Sequence, residues 1–194
     1  MRMAGLKFMD TFFEQLVVRK MTAPEKVIKI LTIAFGVIAI CLLMFLSFTN
    51  AFSGFITLLF LPAALGLGVL LWFQIKNMYI EYEYSITNGS LDIDRIRGKR
   101  KRERMVSVEC SDFEEFGVYD ESAAQKFKGR EFGGRAFAAN HDSKELYYAV
   151  SRHKKFGNVF IVIEPNDRIK GALKKFIPKQ VQGNVLGGYG HSEN

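Results

Sequence analysis

From Ile30 to Ile75 the chain runs for 46 residues without a charged side chain. One helix needs about 20 apolar residues to cross a bilayer, and a single helix of this length would reach about 69 Å, more than twice the hydrocarbon thickness. The block therefore reads as two membrane-spanning helices joined by a turn. Thr22 is followed three residues later by Glu25, a capping-box spacing, with Pro24 in the first turn where its missing N–H costs nothing. The first helix is expected through Val27–Phe48. Ser47, Thr49, Asn50, Ser53 and Gly54 then break the apolar run, and a second helix returns from about Phe55 to Ile75.

The flanks orient this hairpin. Arg19, Lys20, Lys26 and Lys29 precede it and Lys76 follows it, while the connector is uncharged. The positive-inside rule predicts a multi-pass protein of the cell membrane with both termini cytosolic. A cleaved signal peptide fits poorly, because the apolar region starts late and is followed at once by a second span. Neither span holds Asp, Glu, Lys, Arg or His, so the residues that mark a proton relay or ion path are missing. Ala64 and Gly68 are four apart, with Pro62 one turn earlier as a kink site. This small-residue face is expected to pack on the first helix near Gly36, with a homodimer seam as the other option. Before the hairpin, Leu6, Phe8, Met9, Phe12, Phe13, Leu16 and Val17 form an apolar stripe interleaved with Lys7, Asp10, Glu14 and Arg19. The spacing predicts an amphipathic helix, lying in the membrane interface or packed on the soluble domain.

After the hairpin the pattern changes to a period of two. Ile80, Tyr82, Tyr84 and Ile86 alternate with Glu81, Glu83, Ser85 and Thr87, Asn88-Gly89 is a two-residue hairpin turn, and Leu91 to Ile96 returns. Gly98 marks a second turn, Met105 to Cys110 alternates again, and Phe113, Phe116 and Val118 extend the pattern into a fourth strand. Asp120 to Glu145 shows little periodicity and reads as a long loop or one weak strand pair around Lys126–Ala138. Strands resume over Leu146–Arg152 and Val159–Glu164. Pro165, Asn166 and Asp167 stop and cap, and Ile169, Ala172, Leu173, Phe176 and Ile177 form a helical face that ends at Pro178. The glycine-rich tail from Gln182 reads as disordered.

Antiparallel strands closed by one C-terminal amphipathic helix follow the order of a pleckstrin-homology-like barrel. Two spans leading into YEYSITNGSLDIDRIRGKRKRERMVSVE, a strand ending in a Thr-Asn-Gly turn and then a strand and a basic turn, resemble the bacterial membrane-anchored PH-like proteins over roughly Ile56 to Ile177. The resemblance implies an α+β membrane protein: a two-helix transmembrane hairpin, then a mainly antiparallel β, PH-like domain with a C-terminal helix. That family carries no assigned reaction. The expected division is an interfacial segment over 1–21, the hairpin over 22–76, a cytosolic domain over 77–180 and a tail over 181–194.

The densest candidate site is Arg95, Arg97, Lys99, Arg100, Lys101, Arg102 and Arg104 around the Gly98 turn, with only Asp94 and Glu103 near in sequence. Cations this crowded repel one another unless anions answer them. The net charge of +7 is read as shared between the N-terminal segment and the domain, and anionic lipid headgroups are the nearest partner. A solvated flank or a protein partner is the other reading. Nucleic acid is weaker, since no exposed aromatics interleave with the cluster. A second basic set, Arg168, Lys170, Lys174, Lys175 and Lys179, is read as the polar side of the last helix.

Chemistry is sparse. Cys41 and Cys110 are expected to be free thiols in a reducing compartment, and His141, His153 and His191 lack metal-ligand spacing. Glu81 and Glu83 are read as ordinary outward surface, Asp112, Glu114 and Glu115 as a charged turn, and Gly187-Gly188-Tyr189-Gly190 lacks the strand and helix of a phosphate loop. The expectation is a non-enzymatic, membrane-tethered binding or scaffolding protein without cofactor or metal. The alternative is an accessory subunit of a membrane transporter or membrane enzyme complex.

Overall fold

The computed structural model describes residues 12–48 and 54–182. The expectations for Leu6, Phe8 and Met9, for the connector at Thr49, Asn50 and Ser53, and for the tail beyond Gln182 lie outside the described residues. The chain forms two compact units: Lys20–Ile80 with Arg97–Lys101, and the remainder.

The first unit holds α1 (Ala23–Phe48, 26 residues) and α2 (Gly54–Asn77, 24 residues). Thr22 N–H donates to the Glu25 carboxylate at 2.8 Å, closing the cap that the sequence spacing announces. The two helices pack where side chains are small. Gly36 and Ala64 are buried, a Cβ at Gly36 would collide with the Leu71 side chain, and Ile40 Cδ1 lies 3.9 Å from where a Gly68 Cβ would stand. Elsewhere the apolar side chains point outward: Phe35, Ile38, Phe45, Leu58, Leu65 and Leu70 are each more than 60 % exposed. Both helices are long and apolar enough to cross a membrane, and only 6 % of the most apolar stretch of each is buried. Water does not tolerate so large an apolar surface, so the unit is membrane-associated.

The second unit is built of two four-stranded sheets. One has the order β1-β2-β3-β4: Phe12–Val18, Ile80–Thr87, Ser90–Arg97 and Lys101–Glu109. Here the amphipathic-helix expectation fails, because Phe12–Val18 is a strand paired antiparallel with β2, from Phe12 opposite Thr87 to Val18 opposite Glu81. Its apolar residues fit either period over so short a run, and the free edge of β2 decides the matter. The domain expected from residue 77 onward thus takes in a strand from before the hairpin. Asn88 and Gly89 both have positive φ, 51° and 95°, as a type I′ turn demands.

A 3-10 turn over Cys110–Asp112 leads to the second sheet, which holds β5 (Phe113–Val118), β6 (Gly134–Ala138), β7 (Tyr147–His153) and β8 (Gly157–Ile163) in the order β5-β7-β8-β6. β6 pairs parallel with β8 and the other pairs are antiparallel. The segment expected as a loop or weak strand pair is instead α3 (Glu121–Phe127) followed by β6. Asp120 caps α3, its side chain accepting from Ala123 N–H at 2.8 Å. Phe127 and Ala123 lie on Phe160, Val150 and Val162, while Val159, Ile161 and Ile163 of β8 are buried from the other face. β8 is apolar without alternation because both its faces are covered. α4 (Asp167–Phe176) buries Ile169, Ala172 and Leu173, with Asn166 accepting from Ile169 N–H at 2.9 Å. A last turn, α5, spans Lys179–Gln182, and the Gln182 amide donates to the carbonyls of Lys174 and Ile177. The packed chain therefore includes residues 181 and 182, beyond the domain end expected at 180.

Candidate functional site

The seven cations of the basic hairpin fall into two groups. Arg95, Arg102 and Arg104 lie on β3 and β4 and are answered by carboxylates. Arg95 meets Glu103 at 3.0 Å, Arg102 meets Glu83 at 2.6 Å, and Arg104 meets Asp92 at 2.9 Å and Asp94 at 2.5 Å. Sequence proximity named only Asp94 and Glu103. Glu83 comes from β2, which is separated from β4 by β3, and Asp92 lies two residues before Asp94 on β3, so the sheet brings in anions that sequence proximity did not name. Glu83 is accordingly not ordinary surface: it is 8 % exposed, and burial pushes its carboxyl up despite the Arg102 charge beside it.

The second group, Arg97, Lys99, Arg100 and Lys101, belongs to the helical unit. Gly98 and Lys99 both have φ 58°, and Arg100 N–H bonds to the Arg97 carbonyl at 3.1 Å, so residues 97–100 form a tight reverse turn. Gly98 N–H donates to the Tyr79 carbonyl at 2.8 Å, and a Cβ at Gly98 would stand 3.0 Å from the Lys76 carbonyl oxygen. A side chain there would push the turn off the end of α2. Lys99, Arg100 and Lys101 are exposed, with the Arg100 guanidinium 5.9 Å from the Phe73 ring.

Around this turn lies a belt of aromatic and basic side chains. Lys76 Nζ stands 4.7 Å over Trp72, and Lys29 Nζ donates to the Tyr79 hydroxyl at 2.8 Å. Such pairs suit the membrane–water boundary, where an apolar ring and a cation are both satisfied. The helical unit contains Lys20, Lys26, Lys29, Lys76, Arg97, Lys99, Arg100 and Lys101 against the single carboxylate Glu25, all near the start of α1 and the end of α2. The formal excess of +7 therefore lies wholly in this unit, and the remainder has nineteen cations and nineteen carboxylates. Along the sequence both flanks of the apolar block are positive, and the structure gathers the excess of both flanks in the helical unit.

The other candidates resolve into structural roles. Lys170 is not on the polar side of its helix: it is 2 % exposed and bonds Glu145 at 2.7 Å, which holds that carboxyl below the usual range. Burial of Cys110 pushes its thiol up to about 12, far from a reactive thiolate. Burial pushes Glu115 up, but hydrogen bonds from Lys126 at 2.5 Å and Arg130 at 2.7 Å outweigh it and leave the carboxyl below its ordinary value. Among the described residues no group of three or more His, Cys, Asp or Glu side chains is placed to hold a metal ion.

Two apolar helices carried with a small, mainly antiparallel β domain that ends in a packed helix define a class, the membrane-associated PH-like proteins. Residues 9–183 match the family model described as Bacterial PH-like domain (DUF6106), and the chain belongs to that family. The match takes in β1 and both helices as well as the strands that follow them, and it indicates no enzymatic family. No curated protein and no solved structure matches the chain.

Proposed function

We propose that this protein is a non-catalytic, membrane-tethered binding or scaffolding protein whose basic turn addresses anionic lipid headgroups. The observation that carries this reading is the position of the charge: the entire +7 excess lies at one end of the helical unit, beside a belt of Trp72, Phe73 and Tyr79. Each basic residue near an anionic leaflet is worth about 1 kcal/mol. By the positive-inside rule, the same asymmetry supports a topology with that end, both chain termini and the PH-like domain cytosolic. The tethered domain then presents its own surface to partners on the cytosolic side.

The test is lipid enrichment around the full chain. The protein is reconstituted in vesicles mixing neutral lipid with phosphatidylglycerol, excised with a styrene–maleic acid copolymer, and the co-excised lipids are counted. Phosphatidylglycerol should exceed its bulk share. The triple variant Lys99→Gln, Arg100→Gln, Lys101→Gln should lose about 3 kcal/mol of that preference. The preference should also fade in 1 M salt, where screening shortens to about 3 Å. Arg102 is left intact because Glu83 holds it. Bulk composition around the parent chain would sink the proposal.

A further inference from the structure

The β domain has an open seam. β4 ends one sheet and β6 ends the other, so each has a side without a neighbouring strand. Between them lies a cavity of about 440 Å³, walled by residues 104–107 of β4 and by Gly133, Gly134, Arg135 and Ala136, with His153 and Phe156 at its margin. Its apolar lining includes the buried side chains of Val106, Ala136 and Val159. The turn after β7 is held against the start of β6: Gly133 N–H donates to the Asn158 carbonyl at 2.9 Å, and a Cβ at Gly133 would run into the Phe156 carbonyl.

Terminal strands carry N–H and C=O groups on their outer side at alternate residues, and a strand laid alongside satisfies them at a spacing of about 4.8 Å. An extended peptide fits such an edge, with main-chain bonds supplying affinity and alternate side chains entering the apolar floor. The lining selects its charge. No carboxylate lines the cavity, whereas Arg104, Arg135 and His153 do. Arg104 is already answered by Asp92 and Asp94. Arg135 instead donates to the carbonyls of Phe127 at 3.2 Å and Arg130 at 2.7 Å and stands 5.1 Å over Phe132, so no carboxylate among the described residues neutralises it. We propose that this groove binds an acidic, extended segment of a partner protein, added as a strand at the β6 edge.

The full chain in nanodiscs of neutral lipid is panned against a phage-displayed library of random 12-residue peptides. Enriched sequences should be net negative and alternate polar with apolar residues. A synthetic peptide from that pool should bind at least tenfold more weakly to Arg135→Glu, and it should lose binding when alternate backbone nitrogens are methylated. With peptide bound to the parent protein, hydrogen exchange should slow at residues 104–107 and 134–136, a readout that does not depend on any variant folding. The Lys99→Gln, Arg100→Gln, Lys101→Gln variant should bind as the parent does, which separates this groove from the lipid-facing turn. A pool without acidic bias, or protection that falls elsewhere, overturns the proposal. Binding that improves tenfold on removing residues 183–194 assigns the groove to the chain's own tail and overturns it too. Edge protection that rises with protein concentration without peptide assigns the groove to a second copy, with the same consequence.

Discussion

Two glutamates with arginine partners titrate in opposite directions because their settings differ. Glu115 accepts from both Lys126 and Arg130, and these bonds outweigh its burial and lower its pKa below 4.5. A carboxyl whose folded pKa is lowered contributes stability that is fully present above its unfolded value and lost as pH falls through the folded one. Glu115→Gln should therefore cost about 0.5 to 1 kcal/mol at neutral pH, the size of a partly exposed ion pair, and the cost should shrink as pH drops below 4.5. Glu83 has the opposite sign. Burial raises its pKa above 4.5, so its contribution is greatest at low pH and declines as pH rises through the folded value. Glu83→Gln should gain on the parent over that window. Thermal unfolding of the full chain across pH 4 to 7 in detergent checks both; parallel curves for parent and variants would refute the assignment. Neither behaviour is legible in sequence, since Glu83 reads as an alternating surface acid until Arg102 arrives from another strand.

The elements that sequence reading located are those specified by their own neighbours. The Thr22–Glu25 box, the Asn88-Gly89 turn and the Asn166 cap each rest on residues within three positions of one another. β1, α3 and β6 are of another kind. α3 does have a local signature, the Asp120 cap with Ala123 and Phe127 four apart, but seven residues give too short a period to stand out. β1 is held by partners far away in the chain. The Gln15 side chain donates to the Glu164 carbonyl at 2.8 Å and accepts from Asn166 N–H at 2.7 Å, and the Asn140 amide donates to the Val18 carbonyl at 3.2 Å. Gln15→Ala leaves two backbone groups without these bonds and should destabilise the domain by about 1 to 3 kcal/mol. Faster hydrogen exchange along residues 12–18 and 81–87 should accompany it. An unchanged unfolding temperature with unchanged exchange would show that β1 docks without Gln15.

For the whole molecule, the proposed topology rests on the concentration of net charge in the helical unit. A thiol introduced at Asn50, in the connector, should react with an impermeant maleimide added outside intact cells, and one at Asn88, in the β2–β3 turn, should react only after lysis. Labelling of Asn88 in intact cells would reverse the orientation. Sequence alone determined that the chain carries two helices long and apolar enough to cross a bilayer, because a bilayer sets their length and excludes charge, and both constraints act on consecutive residues. It also announced the alternating strands and the closing helix, for which periodicity suffices. Tertiary structure decided that the soluble domain begins before the hairpin, that Arg95, Arg102 and Arg104 are spoken for while Lys99, Arg100 and Lys101 stand exposed at the end of α2, and that β4 and β6 leave a seam. Each of these depends on which strand lies beside which. Pairing between segments many residues apart is set by the edges and faces that other elements leave open, and no local pattern in the chain records it.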